Sequence, residues 1–399
     1  MMGPVNVLIC DDSALIRKAV SQILGECRLV TIVGTAINGR FGLQKIDALK
    51  PDLVLLDIEM PEMNGIEVLK EVRLRKIDVP IIVFSSLARR GARITMEALA
   101  LGAVDYVFKP SGIDSAALKK SVRQLLNQIL IYGYRYKAAK TGNSEYLKLA
   151  QPIYDEENFS VFRKKNSDAS SASKKLSIKP KDLQALGIRK KVIPPPLPPS
   201  ERPPRIEPPR LIAIGISTGG PNALRKIIPF IPGDMPVPIV IVQHMPEGFT
   251  AEFAKSLNEI SNLTVKEAAD GDEILPGMVF IAPGDAHVKI QSGMRIRLER
   301  SEPVNGHRPS VDVLFESAAR VCGAAVTGII MTGMGRDGAL KLGDIYNSGG
   351  LTIAQSKESC VIFGMPGTAV EYGYADVVYS LEEILKYFKN LCKGTEDAF

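Results

Sequence analysis

The chain has 399 residues, about two to three times the length of a typical domain, so we expect at least two domains. Its 45% hydrophobic and 24% charged residues are typical of a folded globular protein and exclude collagens, coiled coils and wholly disordered chains. The net charge of +6 is concentrated in one stretch, because residues 160–210 carry 13 Lys/Arg against 4 Asp/Glu whereas residues 211–399 carry 16 against 22.

Apolar runs and cysteines restrict the compartment. No apolar run reaches the roughly 18 residues that a membrane helix needs, and the first one is stopped by Asp11 and Asp12, so we expect neither a membrane anchor nor a signal peptide. The five cysteines form no CxxC pair and no Cys/His cluster, which favours a reducing compartment over a disulfide framework or a zinc site. The cytoplasm is therefore the expected location.

In the first 130 residues, short apolar runs alternate with amphipathic segments. This alternation predicts five strand–helix units and hence a doubly wound parallel sheet. The predicted strands are 7–10, 29–34, 53–56, 81–84 and 104–108, and the predicted helices are 14–24, 41–49, 66–73, 93–101 and 117–129.

Polar residues follow four of these strands at their carboxyl ends, where such sheets bind ligands. They are Asp11, Asp12, Asp57, Ser85 and Lys109. Crowded carboxylates repel one another unless they hold a hard cation, and Mg²⁺ takes carboxylate, water and phosphate oxygens. The pattern predicts a Mg²⁺-dependent phosphoryl acceptor. For a single position, such as Asp12, capping of a helix is an alternative explanation.

This segment, from Val5 to about Ile131, resembles a two-component response-regulator receiver domain. The resemblance implies that a histidine kinase donates a phosphoryl group to Asp57. It also implies Mg²⁺ ligation by Asp11, Asp12, Asp57 and the backbone of Glu59, and contacts of Ser85 and Lys109 with the phosphoryl group. Tyr106 is either a switch aromatic of this domain or a residue of its core.

The middle of the chain has the composition of a linker. A Lys/Ser-rich segment at 163–181 leads into a proline tract at 194–209, and 10 of the 27 prolines lie between Pro180 and Pro209. Such a segment offers too little apolar surface to fold, and its prolines favour an extended, semi-stiff spacer. We therefore predict domains at 1–132 and 210–390 joined by a linker at 133–209.

A second α/β alternation begins with the apolar run 211–216, which leads into the sequence GISTGGP and an amphipathic segment at 223–228. Glycines at such a strand–turn–helix either cradle a phosphate or expose a serine on a sharp bend. A dinucleotide site needs G-x-G-x-x-G, and Ser217 occupies the position of the second glycine. The turn therefore favours Ser217 as a nucleophile.

A serine nucleophile needs a base, and the chain has three histidines. His244 follows the apolar run 238–242 and is expected at the same sheet edge as Ser217. His287 and His307 lie in loop-like or hairpin surroundings. Position therefore favours His244.

An orienting carboxylate is the remaining requirement of a triad. Asp337 follows the strand-like run 326–332 and is expected at the same edge. Capping of the helix predicted at 339–346 is an alternative role that is compatible with the first. The order Ser, His, Asp differs from the Ser, Asp, His order of α/β-hydrolases.

From Arg210 to about Leu385 the chain resembles the catalytic domain of the chemotaxis protein-glutamate methylesterase (CheB) family, through GISTGGP, QHMP, APGDAH, RPSVDVLF, TGMGRDG and FGMPG. The resemblance implies a second doubly wound α/β domain, a cofactor-free esterase reaction on methylated chemoreceptor helices, and a receiver that covers the site until it is phosphorylated. It assigns nucleophile, base and orienting acid to Ser217, His244 and Asp337, and oxyanion donors to the backbone near Thr218 and Met334. Whether receptor glutamine is also deamidated stays open.

Two other outputs remain to be weighed. Receiver domains often control DNA-binding proteins, but the C-terminal half is net acidic and lacks a basic recognition helix, so we expect no nucleic-acid partner. A receptor-binding protein without catalysis is the other alternative. The complete Ser/His/Asp set argues against it.

Overall fold

A computed structural model describes residues 3–85, 89–109, 115–150 and 193–394. They form two α/β domains, as predicted. The Lys/Ser-rich segment at 163–181 lies outside the described residues. No helix in the described ranges is both long enough and apolar enough to cross a membrane.

The first domain contains a five-stranded parallel sheet in the order β2-β1-β3-β4-β5. This order confirms the predicted doubly wound fold. Its strands are β1 (Val5–Cys10), β2 (Val30–Ala36), β3 (Leu53–Asp57), β4 (Ile81–Ser85) and β5 (Asp105–Phe108). Its helices are α1 (Ala14–Gly25), α2 (Gly39–Leu49), α3 (Gly65–Leu74), α4 (Arg89–Ala100) and α5 (Ser115–Thr141).

The helix starts in this domain leave its acidic residues available for other roles. Ser13 caps α1 by accepting a hydrogen bond from the Ile16 backbone, and Asn38 caps α2 in the same way. Asn64 and Glu67 form a reciprocal capping box on α3. Because Ser13 caps α1, the alternative role of Asp12 as its cap is not needed.

Helix α5 continues beyond the predicted end at residue 129 and reaches Thr141. Tyr134 is fully buried, and its hydroxyl donates to the Leu29 carbonyl at 3.3 Å. Lys137 Nζ lies 2.8 Å from Asp52 Oδ2. Packing against the first sheet therefore extends into the predicted linker, although the predicted domain limits stay a prediction.

The second domain contains a seven-stranded parallel sheet in the order β14-β13-β12-β6-β7-β9-β8. Its strands are β6 (Leu211–Ile216), β7 (Ile239–Gln243), β8 (Thr264–Glu267), β9 (Met278–Ile281), β12 (Val326–Ile330), β13 (Leu351–Gln355) and β14 (Val377–Tyr379), and β10 (His287–Gln291) with β11 (Arg295–Glu299) forms a separate antiparallel hairpin. Its helices are α6 (Gly220–Ile227), α7 (Phe249–Asn258), α8 (Val311–Cys322), α9 (Ala339–Asn347), α10 (Met365–Glu371) and α11 (Leu381–Lys393).

The described end of the linker is fixed to the second domain by Arg202. Its guanidinium stacks 3.7 Å from the centre of the Tyr346 ring, and its Nη1 lies 2.6 Å from Asp376 Oδ1. It also donates to the backbone carbonyls of Tyr346 and Gly350. These partners lie where α9 leads into β13 and just before β14 begins, at the sheet edge opposite the carboxyl ends of the strands.

The two domains meet through β5 and α4 of the first and α6 and α7 of the second. Phe249 is buried, with its ring centre 6.1 Å from that of Tyr106 and 4.7 Å from that of Phe108. Asn222 Nδ2 donates to the carbonyls of Ala103 and Val104 at 3.1 and 2.8 Å. Tyr106 therefore belongs to the contact between domains.

Candidate active site and phosphoryl-acceptor site

Strand order brings the three triad candidates to one edge. β6 lies between β7 and β12, with Ile216 opposite Gln243 and Gly215 opposite Ile330. Each parallel strand therefore delivers the loop that follows it to the same side, and Ser217 and His244 come directly after the paired strand ends.

His244 is joined to Asp337 by a hydrogen bond of 2.9 Å from Nε2 to Oδ2. Its other ring nitrogen, Nδ1, is buried and has no hydrogen-bond partner within the described part of the chain. Asp337 accepts at Nε2 and thereby selects the tautomer with the proton on that nitrogen. Nδ1 is therefore the ring nitrogen that carries a lone pair, and His244 and Ser217 line the same cavity.

Asp337 is held by the start of α8 as well as by His244. Its carboxylate accepts hydrogen bonds from the Ser310 hydroxyl at 2.7 Å, the Val311 N–H at 2.7 Å and the Asn305 amide at 2.9 Å. Burial would raise the pKa of Asp337, but hydrogen bonds from His244, Asn305 and Ser310 outweigh it and bring the pKa to about 2. The carboxylate is therefore ionised throughout the neutral range.

The alternative role of Asp337, capping α9, is taken by a different carboxylate. Asp312 Oδ1 accepts from the backbone N–H groups of Gly338 and Lys341. Burial and the nearby Asp337 raise the pKa of Asp312, and Asn305 bridges the two carboxylates. Asp337 instead forms its hydrogen bond with His244.

The candidate oxyanion donors lie in the two loops that flank Ser217. In the described residues the backbone N–H groups of Thr218 and Met334 donate no hydrogen bond to protein atoms. Gly333 packs directly against the serine, since a Cβ at Gly333 would lie 2.8 Å from Ser217 Cβ. The loop that carries Met334 is thereby held beside the nucleophile.

Gln243 was not singled out from the sequence. Its amide Nε2 donates to the carbonyls of Ser217 and His244 at 3.1 and 3.2 Å, and its side chain is buried. One amide therefore ties together the backbones of two triad candidates. Its place immediately before His244 at the end of β7 is the signal that could have suggested this role.

The two remaining histidines differ from His244. His287 is fully buried on β10, its Nδ1 accepts from the Ser310 N–H at 3.1 Å and its Nε2 lies 3.1 Å from the Glu302 carbonyl. Both nitrogens are therefore used in holding the loop. The His307 ring stacks on that of His244, with 3.8 Å between ring centres and 6° between planes.

A cavity of about 500 Å³ lies between the domains and contains the triad edge. Ser217, Thr218, His244 and Met334 line one side. The first domain lines the other side, with Asp105, Tyr106, Phe108, Arg123, Gln124, Asn127 and Gln128.

Asp105 of the first domain contacts the turn that carries Ser217. It accepts hydrogen bonds from the Tyr106 N–H at 2.9 Å, from the Tyr132 hydroxyl at 3.1 Å and from the backbone of Gly219. Burial raises the pKa of Asp105 to about 7, against these hydrogen bonds. A carboxyl group of the first domain thus lies at the amino end of α6, two residues from Ser217.

At the carboxyl edge of the first sheet, Lys109 joins two acidic residues. Its Nζ lies 2.7 Å from Asp11 Oδ2 and 2.6 Å from Asp57 Oδ2. Burial raises the pKa of Asp57 to about 6, although Lys109 opposes the shift. The Glu59 N–H donates to Asp57 Oδ1 at 3.3 Å.

This edge has the donor set that Mg²⁺ requires. Asp11, Asp12 and Asp57 each offer a carboxylate oxygen, and these oxygens lie within 4.8 Å of one another. Hard oxygen ligands with room for water and phosphate suit Mg²⁺ rather than a soft metal. The residues present therefore fit the predicted ion.

Ser85 ends β4 next to this cluster and contacts α4. The Thr95 hydroxyl donates to the Gly91 carbonyl at 2.7 Å and lies 2.7 Å from Ser85 Oγ, and Thr95 is fully buried. The next residue of α4 is Met96, and its carbonyl accepts a hydrogen bond from the Arg225 side chain of α6 at 3.4 Å. The candidate phosphoryl contact is thus linked through α4 to the second domain.

Comparisons with known proteins agree with this architecture. Residues 7–123 match the family "Response regulator receiver domain", and residues 212–388 match the family "CheB methylesterase". Proteins from Treponema pallidum and Treponema denticola, both named protein-glutamate methylesterase/protein-glutamine glutaminase, are 42% and 43% identical to this chain and align with 95% and 93% of it, and with 95% and 94% of their own lengths. The crystal structure of the Thermotoga maritima CheB methylesterase catalytic domain is 44% identical, covers 47% of this chain and 99% of its own, and has a TM-score of 0.45.

Proposed function

Because the chain belongs to the protein-glutamate methylesterase/protein-glutamine glutaminase family, we propose that Ser217, His244 and Asp337 are the triad with which it hydrolyses glutamate methyl esters. The observation that carries this assignment is the hydrogen bond from His244 Nε2 to Asp337, which leaves the buried Nδ1 with a lone pair in a residue that lines the same cavity as Ser217. The substrates we propose are methylated glutamates on chemoreceptor helices.

Acylation begins when Ser217 Oγ attacks the ester carbonyl carbon. His244 Nδ1 takes the hydroxyl proton, and Asp337, already ionised, stabilises the imidazolium through Nε2. The carbonyl oxygen becomes an oxyanion, for which the N–H groups of Thr218 and Met334 are the proposed donors. The tetrahedral intermediate then expels methoxide, which receives the proton from His244 and leaves as methanol.

Deacylation repeats these steps with water as the nucleophile. His244 takes a proton from water, hydroxide attacks the glutamyl ester on Ser217, and the serine oxygen leaves with that proton. The product is a glutamic acid side chain, which releases its proton to solvent and becomes a carboxylate. A glutamine side chain would follow the same route with ammonia in place of methanol, so we propose that one site serves both activities named for the relatives.

The first domain is a receiver, and we propose a histidine kinase as its phosphodonor and Asp57 as the acceptor. Asp11, Asp12 and Asp57, with the Glu59 backbone, would hold Mg²⁺. The ion supplies positive charge that offsets repulsion between the incoming phosphoryl group and the carboxylates. Lys109 is placed to exchange its bond to Asp57 for one to a phosphoryl oxygen, and Ser85 to donate from the β4 end.

Control of the esterase follows from the domain contact. The receiver lines one side of the cavity that contains Ser217, and Asp105 lies at the turn that carries it. We propose that this contact keeps a chemoreceptor helix from the serine, and that phosphorylation raises activity by loosening it. The protein would act in the cytoplasm, where kinase and receptor helices are accessible.

Methanol release from methylated receptor membranes tests the assignment, measured for the full chain with and without a small-molecule phosphodonor. We expect Ser217→Ala to lower turnover by about 10⁴-fold or more without changing phosphorylation, because only the nucleophile is lost. Ser261→Ala is the matched control, since that hydroxyl only donates to the Leu257 carbonyl at the end of α7. Near-normal turnover of Ser217→Ala would exclude it as the nucleophile.

Asp57→Asn tests the receiver separately. We expect it to abolish both labelling by the phosphodonor and stimulation of methanol release, because the acceptor oxygen is replaced by an amide. Asp47→Asn, at an exposed position on α2, is the control and should label normally. Persistent labelling of Asp57→Asn would point to a different acceptor.

A further inference from the structure

The stacked pair formed by His244 and His307 is the strongest feature that the proposed mechanism does not use. The planes of the two imidazoles differ by 6°, and their centres are 3.8 Å apart, which is face-to-face contact over the whole ring. His307 also lines the cavity that contains Ser217. A second aromatic ring therefore covers one face of the proposed base.

A single hydrogen bond does not fix an imidazole. The bond from Nε2 to Asp337 sets one corner of the His244 ring, but the ring can still rock about the line that joins the two atoms. Rocking would change the direction in which Nδ1 faces the cavity that Ser217 lines. A parallel ring against one face restricts this motion, and proton transfer needs Nδ1 within hydrogen-bond reach of the hydroxyl.

The loop that carries His307 is itself well held. The backbones of Val304 and His307 pair with each other through two hydrogen bonds of 3.0 Å, which closes a tight turn. Within that turn Asn305 donates to Asp337 at 2.9 Å, and just after it the Arg308 side chain pairs with Asp285. One loop therefore supports both the orienting carboxylate and the ring of the base.

The stack also matters when His244 becomes charged. After it takes the serine proton, the imidazolium faces the π surface of the neighbouring ring, which attracts a cation as other aromatic faces do. An aliphatic side chain would fill the same space without this attraction. Position and electrostatics therefore both favour an aromatic ring at His307.

We infer that His307 is a positioning residue of the esterase: its ring, stacked on His244, holds the base at the angle that proton transfer from Ser217 requires. This inference rests on the proposed role of His244. It predicts that the aromatic face, rather than any hydrogen bond of His307, is what the reaction needs.

Three variants of the full chain, assayed with phosphodonor, test this inference. His307→Phe retains a ring, whereas His307→Leu and His307→Gln do not. We expect the Phe variant to keep kcat within about threefold of the parent protein, and the Leu and Gln variants to lose about 10- to 100-fold in kcat with little change in KM, because a misplaced base slows chemistry more than binding. The rate of Ser217 modification by a fluorophosphonate should fall in parallel.

The outcomes separate this inference from the proposed function. If the parent protein neither releases methanol nor reacts with the fluorophosphonate, the proposed triad fails. If the parent is active and Leu and Gln match it, or if Phe loses as much kcat as they do, the stacking role is overturned. Should the Leu variant fail to fold, as judged by its Tm, the Gln and Phe pair decides the question alone.

Discussion

The two sheet edges of this chain are alike in topology and opposite in electrostatics. In each domain a parallel sheet gathers polar residues at the carboxyl ends of its strands. In the receiver, burial raises the pKa of Asp57 to about 6, with the Lys109 ammonium 2.6 Å away. In the esterase, hydrogen bonds overcome burial and bring the pKa of Asp337 to about 2.

The difference follows from what holds each carboxylate. Asp337 is bound by N–H and O–H groups that belong to a helix start and a closed loop, so it stays charged and fixed. Asp57 is bound by a long side chain, Lys109, which can move to another anion. The sheet topology therefore determines where each site lies. The groups around each carboxylate determine its pKa and how firmly it is held.

Among substitutions that test this comparison, we expect the largest loss of activity at Asp337. Asp337→Asn should lower kcat for methanol release by about 10⁴-fold, because an amide cannot hold the His244 tautomer with its proton on Nε2. Asp344→Asn, on the exposed side of α9, is the matched control and should stay within about twofold. If Asp337→Asn kept most of its activity, the carboxylate would be structural, as an ordinary loop anchor is.

The sequence predicts which residues gather at the two sheet edges, but not the neighbouring groups that set the pKa of their carboxylates. Ser217, His244 and Asp337 each follow an apolar run, and parallel strands bring such positions together, so periodicity is sufficient. Asn305 and Ser310 are 32 and 27 residues from Asp337, in loops without periodicity, and their hydrogen bonds depend on tertiary contacts.

The ring contacts and the length of α5 could not be predicted from the sequence either. The stack of His307 on His244 and the burial of Phe249 against Tyr106 join distant segments or different domains. Helix α5 is longer than predicted because Tyr134 and Lys137 bond to Leu29 and Asp52, which lie just before β2 and β3. The local sequence pattern does not reveal these contacts.

A smaller effect should appear where the two edges are joined. Asn222→Ala removes two hydrogen bonds to the Ala103 and Val104 carbonyls, so we expect the unphosphorylated full chain to become about 5- to 30-fold more active, since each such bond contributes about 1 kcal/mol to the contact. Activity with phosphodonor should change little.

The control for that variant lies in the same domain. Asn262 also donates to two backbone carbonyls, those of Pro229 and Ile231, and both of these partners belong to the esterase domain. Asn262→Ala should leave basal turnover unchanged. Equal basal activities of the parent and Asn222→Ala would mean that these hydrogen bonds do not contribute to closure.

The smallest effect is expected in the pH dependence of closure. Burial raises the pKa of Asp105 from 3.8 to about 7 in the closed form, and exposure on opening would return it toward its ordinary value. The closed form therefore binds an extra proton between about pH 4 and 7, and its advantage is lost as the pH rises through 7. Inhibition should weaken by roughly tenfold between pH 6 and 8.

The ratio of unphosphorylated to phosphorylated turnover measures this effect, because any pH dependence of the chemical step is common to both states and cancels. Tyr132 is the other titratable group bonded to Asp105, and burial and Asp105 raise its pKa well above this range. Asp105→Asn carries no charge and should flatten the ratio between pH 6 and 8. An unchanged slope in that variant would assign the pH dependence to another group.

The clamp at Arg202 makes the switch a property of a single molecule. Arg202 forms an ion pair with Asp376 and stacks on Tyr346, so the chain that leads to the receiver is attached at a fixed point of the esterase domain. Because both domains belong to one chain, their contact is intramolecular, and the local concentration of one domain around the other does not depend on the protein concentration. Basal turnover per molecule should thus be independent of dilution, and a cell could vary the amount of this enzyme without altering the fraction that is switched off.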